Sequence, residues 1–316
     1  MRISRGYAGC IFAIVLSLAF CAASVPAAAL DRSNGDYWTY EMSVDIDDFD
    51  VVGDMTLTVV DEDTLTVGSD SYVVDVLQYS GSISGSGEVW GVNTTVSMVY
   101  SGFTYELKDG LATVKDDMYI WINSTAVMNQ VELTIRMETQ DVSTASPPIG
   151  TGLVPDEMGV GDSWSETVVE TTTYTEWEDG TMTSTSSDSD EKTYSFTIAV
   201  AEESLTTDAG TFDCLKITIM DESDDSYEVR WYCDEVGYYV KIANYEMGDS
   251  TPSVVLELKE YKYASASQVL MILVVVGVAV ALVAIVAVVL LTMRKKRIPQ
   301  QPQQPMPPPP PAPPVQ

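Results

Sequence analysis

The chain of 316 residues contains no histidine. That absence removes Ser-His-Asp and Cys-His nucleophile activation, histidine-ligated zinc and the usual neutral-pH general base. Positive charge is scarce as well, with 16 Lys and Arg against 47 Asp and Glu. All the acidic residues lie in residues 31–267, which hold only 10 of the basic ones, so this span carries a formal charge of 10 − 47 = −37. A surface of that sign repels nucleic acid and anionic headgroups. Glycine-rich phosphate-binding patterns are missing, and Gly81-Ser82-Ile83-Ser84-Gly85 carries Ile83 where a nucleophile elbow needs serine. Carboxylate-only hydrolysis is the one enzymatic chemistry left, and no pair of carboxylates is singled out for it; a non-catalytic role is expected.

Two apolar stretches set the topology. Residues 1–29 combine Arg2 and Arg5, an apolar run over 11–20 and Ala27-Ala28-Ala29, the layout of a cleaved export signal. Residues 269–292 are free of charge, and 24 residues at about 1.5 Å each reach roughly 36 Å, enough to cross a bilayer. Arg294, Lys295, Lys296 and Arg297 follow directly and mark the cytoplasmic side. The expected arrangement is single-pass in the plasma membrane. It runs as a signal peptide (1–29), an ectodomain, a short linker (264–267), a transmembrane helix (268–293) and a cytoplasmic tail (294–316). Within the helix, Gly277, Ala281 and Ala284 share a face suited to a homodimer. Ten prolines in residues 299–316, with Pro299, Pro302 and Pro305 at the polyproline II period, suit either a disordered spacer or docking to a cytosolic polyproline-binding partner.

The ectodomain reads as all-β and antiparallel. Met55, Leu57 and Val59 alternate with polar or exposed neighbours, as do Phe196, Ile198 and Val200, and Val254, Leu256 and Leu258. Turn signals stand at Lys108-Asp109-Gly110, Glu178-Asp179-Gly180 and Asp208-Ala209-Gly210. Gly35-Asp36-Tyr37-Trp38 is matched 126 residues on by Gly161-Asp162-Ser163-Trp164. Leu65-Thr66 leading to Ser71-Tyr72 is matched by Leu205-Thr206 leading to Thr211-Phe212, and the segment from Gly110 to Lys115 by that from Gly237 to Lys241. Matches in the same order suggest two similar curved-sheet, half-barrel or sandwich units, 30–146 and 147–263, separated at Ser146-Pro147-Pro148 and residues 150–155. A single large sandwich, or an open barrel with a long meander, is the other arrangement that fits.

Cys10 and Cys21 leave with the signal. Cys214 and Cys233 flank a turn over residues 221–226, which opposes them in one hairpin with Leu215 facing Tyr232 and Lys216 facing Trp231. In an exported protein a disulfide is expected there. Asn93 and Asn123 each begin an Asn-X-Thr sequon open to glycosylation. Asp45, Asp47, Asp48 and Asp50 could hold a calcium or other cation weakly. They miss the EF-hand pattern, with Asp50 at the glycine position and Thr56 at the final glutamate, so a solvated turn is preferred and no cofactor is expected.

The segments Ala209-Gly210-Thr211-Phe212-Asp213-Cys214-Leu215-Lys216-Ile217 and Arg230-Trp231-Tyr232, with Val236-Gly237-Tyr238-Tyr239-Val240-Lys241, resemble the closing strands of the lipoprotein-localisation-factor half-barrel superfamily. The resemblance implies a curved sheet around an apolar cavity, holding a lipid-like or protein ligand near Trp231 and Tyr239. The chain departs from that family in lacking an amphipathic helix to plug the cavity. The whole layout is similar to tethered ectodomains of archaeal cell envelopes. Three functions follow in order of preference: a non-catalytic binding or envelope-structural module, a half-barrel carrier of an apolar ligand, and a carboxylate-only hydrolase.

Overall fold

The structure is a computed structural model and describes residues 32–263, apart from 47–48, 90–91, 129–130, 179 and 225. The export signal, the linker, the apolar stretch with Gly277, Ala281 and Ala284, the basic group Arg294, Lys295, Lys296 and Arg297, the proline tail, Asp47 and Asp48 lie outside the described residues. Among the described residues, no helix is long and apolar enough to cross a membrane.

Thirteen antiparallel strands account for most of the described chain. They are β1 (Tyr37–Ile46), β2 (Phe49–Val67), β3 (Asp70–Val89), β4 (Val92–Leu107), β5 (Thr113–Met128), β6 (Val131–Ile149) and β7 (Ser163–Glu178). The series continues with β8 (Thr181–Ile198), β9 (Glu203–Thr207), β10 (Gly210–Asp221), β11 (Ser226–Cys233), β12 (Tyr238–Glu246) and β13 (Val254–Lys262). From β1 to β8 each strand pairs with the next, the simplest product of alternating sequence punctuated by tight turns. β8 then pairs with β10, β10 with β11, and β13 returns to β1, so twelve strands close a barrel. β9 stands outside the ring and pairs only with the first half of β10.

The strands assigned from sequence to two units therefore form one continuous sheet. The turn before β1 and the turn before β7 nevertheless make the same hydrogen bonds. Gly35 (φ 91°) and Gly161 (φ 86°) each adopt the left-handed conformation. Asp36 and Asp162 each accept a bond from the backbone N–H three residues earlier, Ser33 and Gly159, both at 2.8 Å. Their carbonyls in turn accept from Val59 and Ile198, at 2.9 and 2.8 Å. The second matched pair is alike too: Leu65 opposes Tyr72 and Leu205 opposes Phe212, with the Thr66–Ser71 and Thr206–Thr211 hydroxyls bonded at 2.9 and 3.0 Å.

The expected break at Ser146-Pro147-Pro148 is not a linker. β6 runs through it, and the prolines sit between Ser146, the last residue paired to β7, and Ile149, paired to β5 across a register shift. Neither neighbour there asks the prolines for an N–H. The following loop is tied in as well. Leu153, almost fully buried, packs into the core, and its carbonyl accepts from Leu111 N at 2.9 Å. The alternation holds for Leu57, Val59, Phe196, Ile198 and Leu258, all buried, whereas Val200 is 88% exposed because β8 ends at Ile198.

The chain enters and leaves the barrel at the same end, with Tyr37 opposite Lys262. Buried side chains gather there. Trp38 Nε1 donates to Val236 O at 2.9 Å, and its ring lies 4.9 Å from that of Tyr238. Arg32 is the centre of this end. Its Nε bonds Asp75 at 2.9 Å, its Nη1 bonds Glu106, and its Nη2 bonds the Leu107 and Gly110 carbonyls at 3.1 and 3.0 Å. Burial alone would lower the arginine pKa, but Glu106 and Asp75 outweigh it and raise it. Lys108 bridges Asp75 and Glu62, and Tyr238 Oη donates to Glu106 at 2.7 Å. Toward the opposite rim, residues 181–191 of β8 are exposed on both faces.

Glycine shapes the inner wall. Tyr79 opposes Gly102 and Tyr100 opposes Gly81 across β3 and β4. A Cβ on Gly102 would stand 2.5 Å from Tyr79 Oη, and one on Gly81 2.5 Å from Tyr100 Oη. The hydroxyl end of each tyrosine thus occupies the space that a side chain on the opposite glycine would fill.

Two outcomes follow. Arg32→Ala leaves Asp75 and Glu106 buried without their guanidinium, and should cost about 3–5 kcal/mol in urea unfolding of residues 30–263. Gly102→Ala should destabilise by more than Ser80→Ala, an exposed control on β3, in the same assay.

Candidate functional site

The barrel interior carries two adjoining chambers that share Thr113 and Arg230. The first, about 280 Å³, is lined by Ile149, Leu153, Phe196 and Ile219, with Asp221 and Glu228 as its charged walls. The second, about 250 Å³, is lined by Met55, Leu57, Tyr79, Ile242 and Tyr239, with Glu106 and Asp116. Register explains the lining. Ile217 opposes both Ile198 and Arg230, and Arg230 opposes Ile242, so one row of inward side chains crosses β8, β10, β11 and β12.

Arg230 divides the chambers. Its Nε pairs with Glu228, its Nη1 donates to Tyr239 Oη at 3.3 Å, and the guanidinium lies 5.0 Å from the centre of the Tyr239 ring. Burial works against its charge, yet Glu228 and the tyrosines hold it well above the ordinary arginine value. Burial also raises Tyr239, with Arg230 opposing the rise. The result is a fixed cation in a largely apolar room, with hydroxyl and carboxylate groups at fixed positions around it.

A second group of charges lies on the far wall. Tyr79 Oη donates to Asp116 Oδ2 at 3.4 Å. Burial pushes the Asp116 carboxyl up to about 6, helped by Asp141, Asp117 and Glu106 and opposed by the Tyr79 bond. Burial and then Glu170 raise Asp141, whose Oδ1 is buried without a hydrogen-bond partner. Glu170 is itself held by Lys192 at 3.0 Å and by Tyr194 Oη at 3.0 Å. Asp116 thus keeps its proton well above the ordinary carboxylate range and gives it up near pH 6, so it can donate a hydrogen bond below that pH and only accept above it.

The sequence-derived candidates separate. Tyr239 lines the second chamber, but Trp231 points to the opposite face of β11. There its Nε1 donates to Glu203 at 2.9 Å, and its ring lies between Lys216 and Lys241, whose Nζ atoms are 5.4 and 5.7 Å from it. Leu215 opposes Tyr232 and Lys216 opposes Trp231, which sets Cys214 and Cys233 at the next pair. Both cysteines are buried free thiols, so the expected bond is not formed. Cys214 Sγ donates to the Phe212 carbonyl at 3.7 Å. The adjacent Cys233 thiol, with burial, raises Cys214, and Cys214 in turn lowers Cys233, aided by the Val236 and Glu235 backbone N–H groups. Asn93 and Asn123 are exposed on the outer wall, on neighbouring strands. Asp45 is exposed and opposes Asp50. Among the described residues no group of three or more Cys, Asp or Glu side chains is placed to hold a metal ion.

Arg230, Glu228 and Asp116 were not picked out from the sequence. One signal was present: residues 31–267 contain only three arginines, Arg32, Arg136 and Arg230. Arg230 stands between Val229 and Trp231 in an alternating strand, where one face must be interior.

Two measurements test these assignments. Asp116 is ionised in the unfolded chain above its ordinary 3.8 but stays protonated in the barrel until about pH 6. Its contribution to stability therefore falls as pH rises through that window. Asp116→Asn should stabilise at pH 7 by up to ~2–3 kcal/mol and add nothing at pH 4, in urea titrations at the two pH values. Under a mild oxidant, Cys214 and Cys233 should join, lowering the intact mass by two hydrogens and raising stability by about 3 kcal/mol; an unchanged mass would exclude the pairing. Compared with protein-family models, with curated proteins and with solved structures, the chain matches none.

Proposed function

We propose that the barrel is a non-catalytic, extracytoplasmic binding module, carried on the membrane by residues 268–293, whose interior takes a lipid-like ligand. The observation that carries this reading is the pair of adjoining chambers with a guanidinium between them. Aliphatic and aromatic walls supply the burial that drives an apolar body inside, and Arg230 with Glu228 and Tyr239 supplies the few fixed polar contacts that orient it. A ligand lying across Arg230 fills both chambers with its polar group at the guanidinium. Access falls to the rim opposite Arg32, because Trp38, Leu153 and the Arg32 cluster fill the other end. Without histidine, and with Glu106, Glu170 and Glu228 held by Arg32, Lys192 and Arg230, the interior favours holding a ligand over transforming one.

Native mass spectrometry of the full chain, taken from its own membranes in detergent, should show a bound species of lipid-like mass. Ile219→Trp fills the first chamber at a cost of about 1–3 kcal/mol, and should abolish that adduct while circular dichroism stays that of the parent. A bare parent chain, or an adduct that survives Ile219→Trp, would end the proposal.

A further inference from the structure

The outer wall of β4 to β7 carries a site that the barrel interior does not explain. Register places Val99, Trp121, Glu138 and Trp177 in one row across four strands, with Ser97, Asn123 and Arg136 in the row two residues on. Together they bound a groove of about 560 Å³. Trp121 is 40% exposed, an unusual position for the largest side chain, and is stacked with Tyr119 at 6.0 Å and 18° between planes. Asn123 is exposed two residues further along β5, on the same face as Trp121. It also opens the sequon Asn123-Ser124-Thr125.

We propose that Asn123 is N-glycosylated and that its first sugars lie across the Trp121 indole in this groove. An exposed asparagine in an Asn-X-Thr sequon is the acceptor such transfer needs. Its amide nitrogen bonds to the anomeric carbon of a lipid-pyrophosphate-activated oligosaccharide. The bond from that carbon to phosphate oxygen breaks, the pyrophosphate leaves with the electron pair, and the amide gives up one proton. A pyranose has an apolar C–H face and a rim of hydroxyls. The groove offers the complement, with the flat indole of Trp121 as floor and Ser97, Arg136 and Glu138 as hydrogen-bonding walls. Alternation along a strand makes the fit specific: a substituent at Asn123 grows on the side of the sheet where Trp121 stands. Asn93 meets the sequon rule but has, among the described residues, Glu88, Thr95 and Val127 as its same-face neighbours, none of them an aromatic platform.

This inference rests on the extracytoplasmic reading, so the test includes protease accessibility on intact cells. The full chain isolated from its own membranes is digested, and the peptide bearing Asn123 should be heavier by a saccharide mass that Asn123→Gln removes. Tryptophan emission of the full chain should shift to the red in Asn123→Gln. In a Trp121→Leu background the second substitution should add no shift. An unmodified Asn123 on a chain that external protease reaches overturns the inference and leaves the extracytoplasmic reading standing. A chain that external protease cannot reach overturns both. A glycan whose loss shifts emission equally with and without Trp121 overturns the stacking.

Discussion

Everything in this molecule depends on closing a ring of backbone hydrogen bonds. A twelve-stranded sheet left open would present two long edges of unpaired N–H and C=O groups, a standing invitation to aggregation. The chain closes the ring with one pairing between strands far apart in sequence, β13 onto β1, while the neighbouring strands elsewhere follow one another in the chain except where β9 steps out between β8 and β10. β10 carries the heavier duty. Its first five residues pair with β9 and its remainder with β8 and β11 at once, so it is both the end of an outer flap and a stave of the ring. The bulge at Thr39/Tyr40 falls in the β1–β13 pairing that makes the closure, where it adds local twist.

Closure also dictates the interior. A ring of this circumference encloses more space than aliphatic side chains alone fill here, and the surplus is occupied by charge. The Arg32 cluster seals one end, Arg230 divides the middle, and Asp116, Asp141 and Glu170 line the far wall. Burial makes each of these groups dependent on its partners, which gives the interior fixed chemistry rather than a loose aqueous channel.

The sequence showed the strands but not the ring. Period-two alternation at Leu57, Val59, Phe196 and Ile198 and the hairpin register of Leu215 with Tyr232 were legible because they are local. So was the repeated Gly-Asp opening of β1 and β7, whose turns share one bonding pattern. Closure was not legible, because the β1–β13 pairing joins residues as distant as Tyr37 and Lys262 and leaves no mark in any short window. The prolines of β6 looked like a boundary, since the register shift that excuses them is a property of two neighbouring strands. The interior site was hidden for the same reason: the second chamber gathers Met55, Asp116 and Ile242 around Arg230 from strands far apart in sequence.

Tyr37 and Lys262 sit side by side where the first and last strands meet. The barrel's first and last strands therefore start and stop at one spot on its rim, as a belt does at its buckle. A body of that kind can be spliced into a loop of another protein, or have its ends joined and be reopened at a different hairpin, without disturbing a single rung of the ladder.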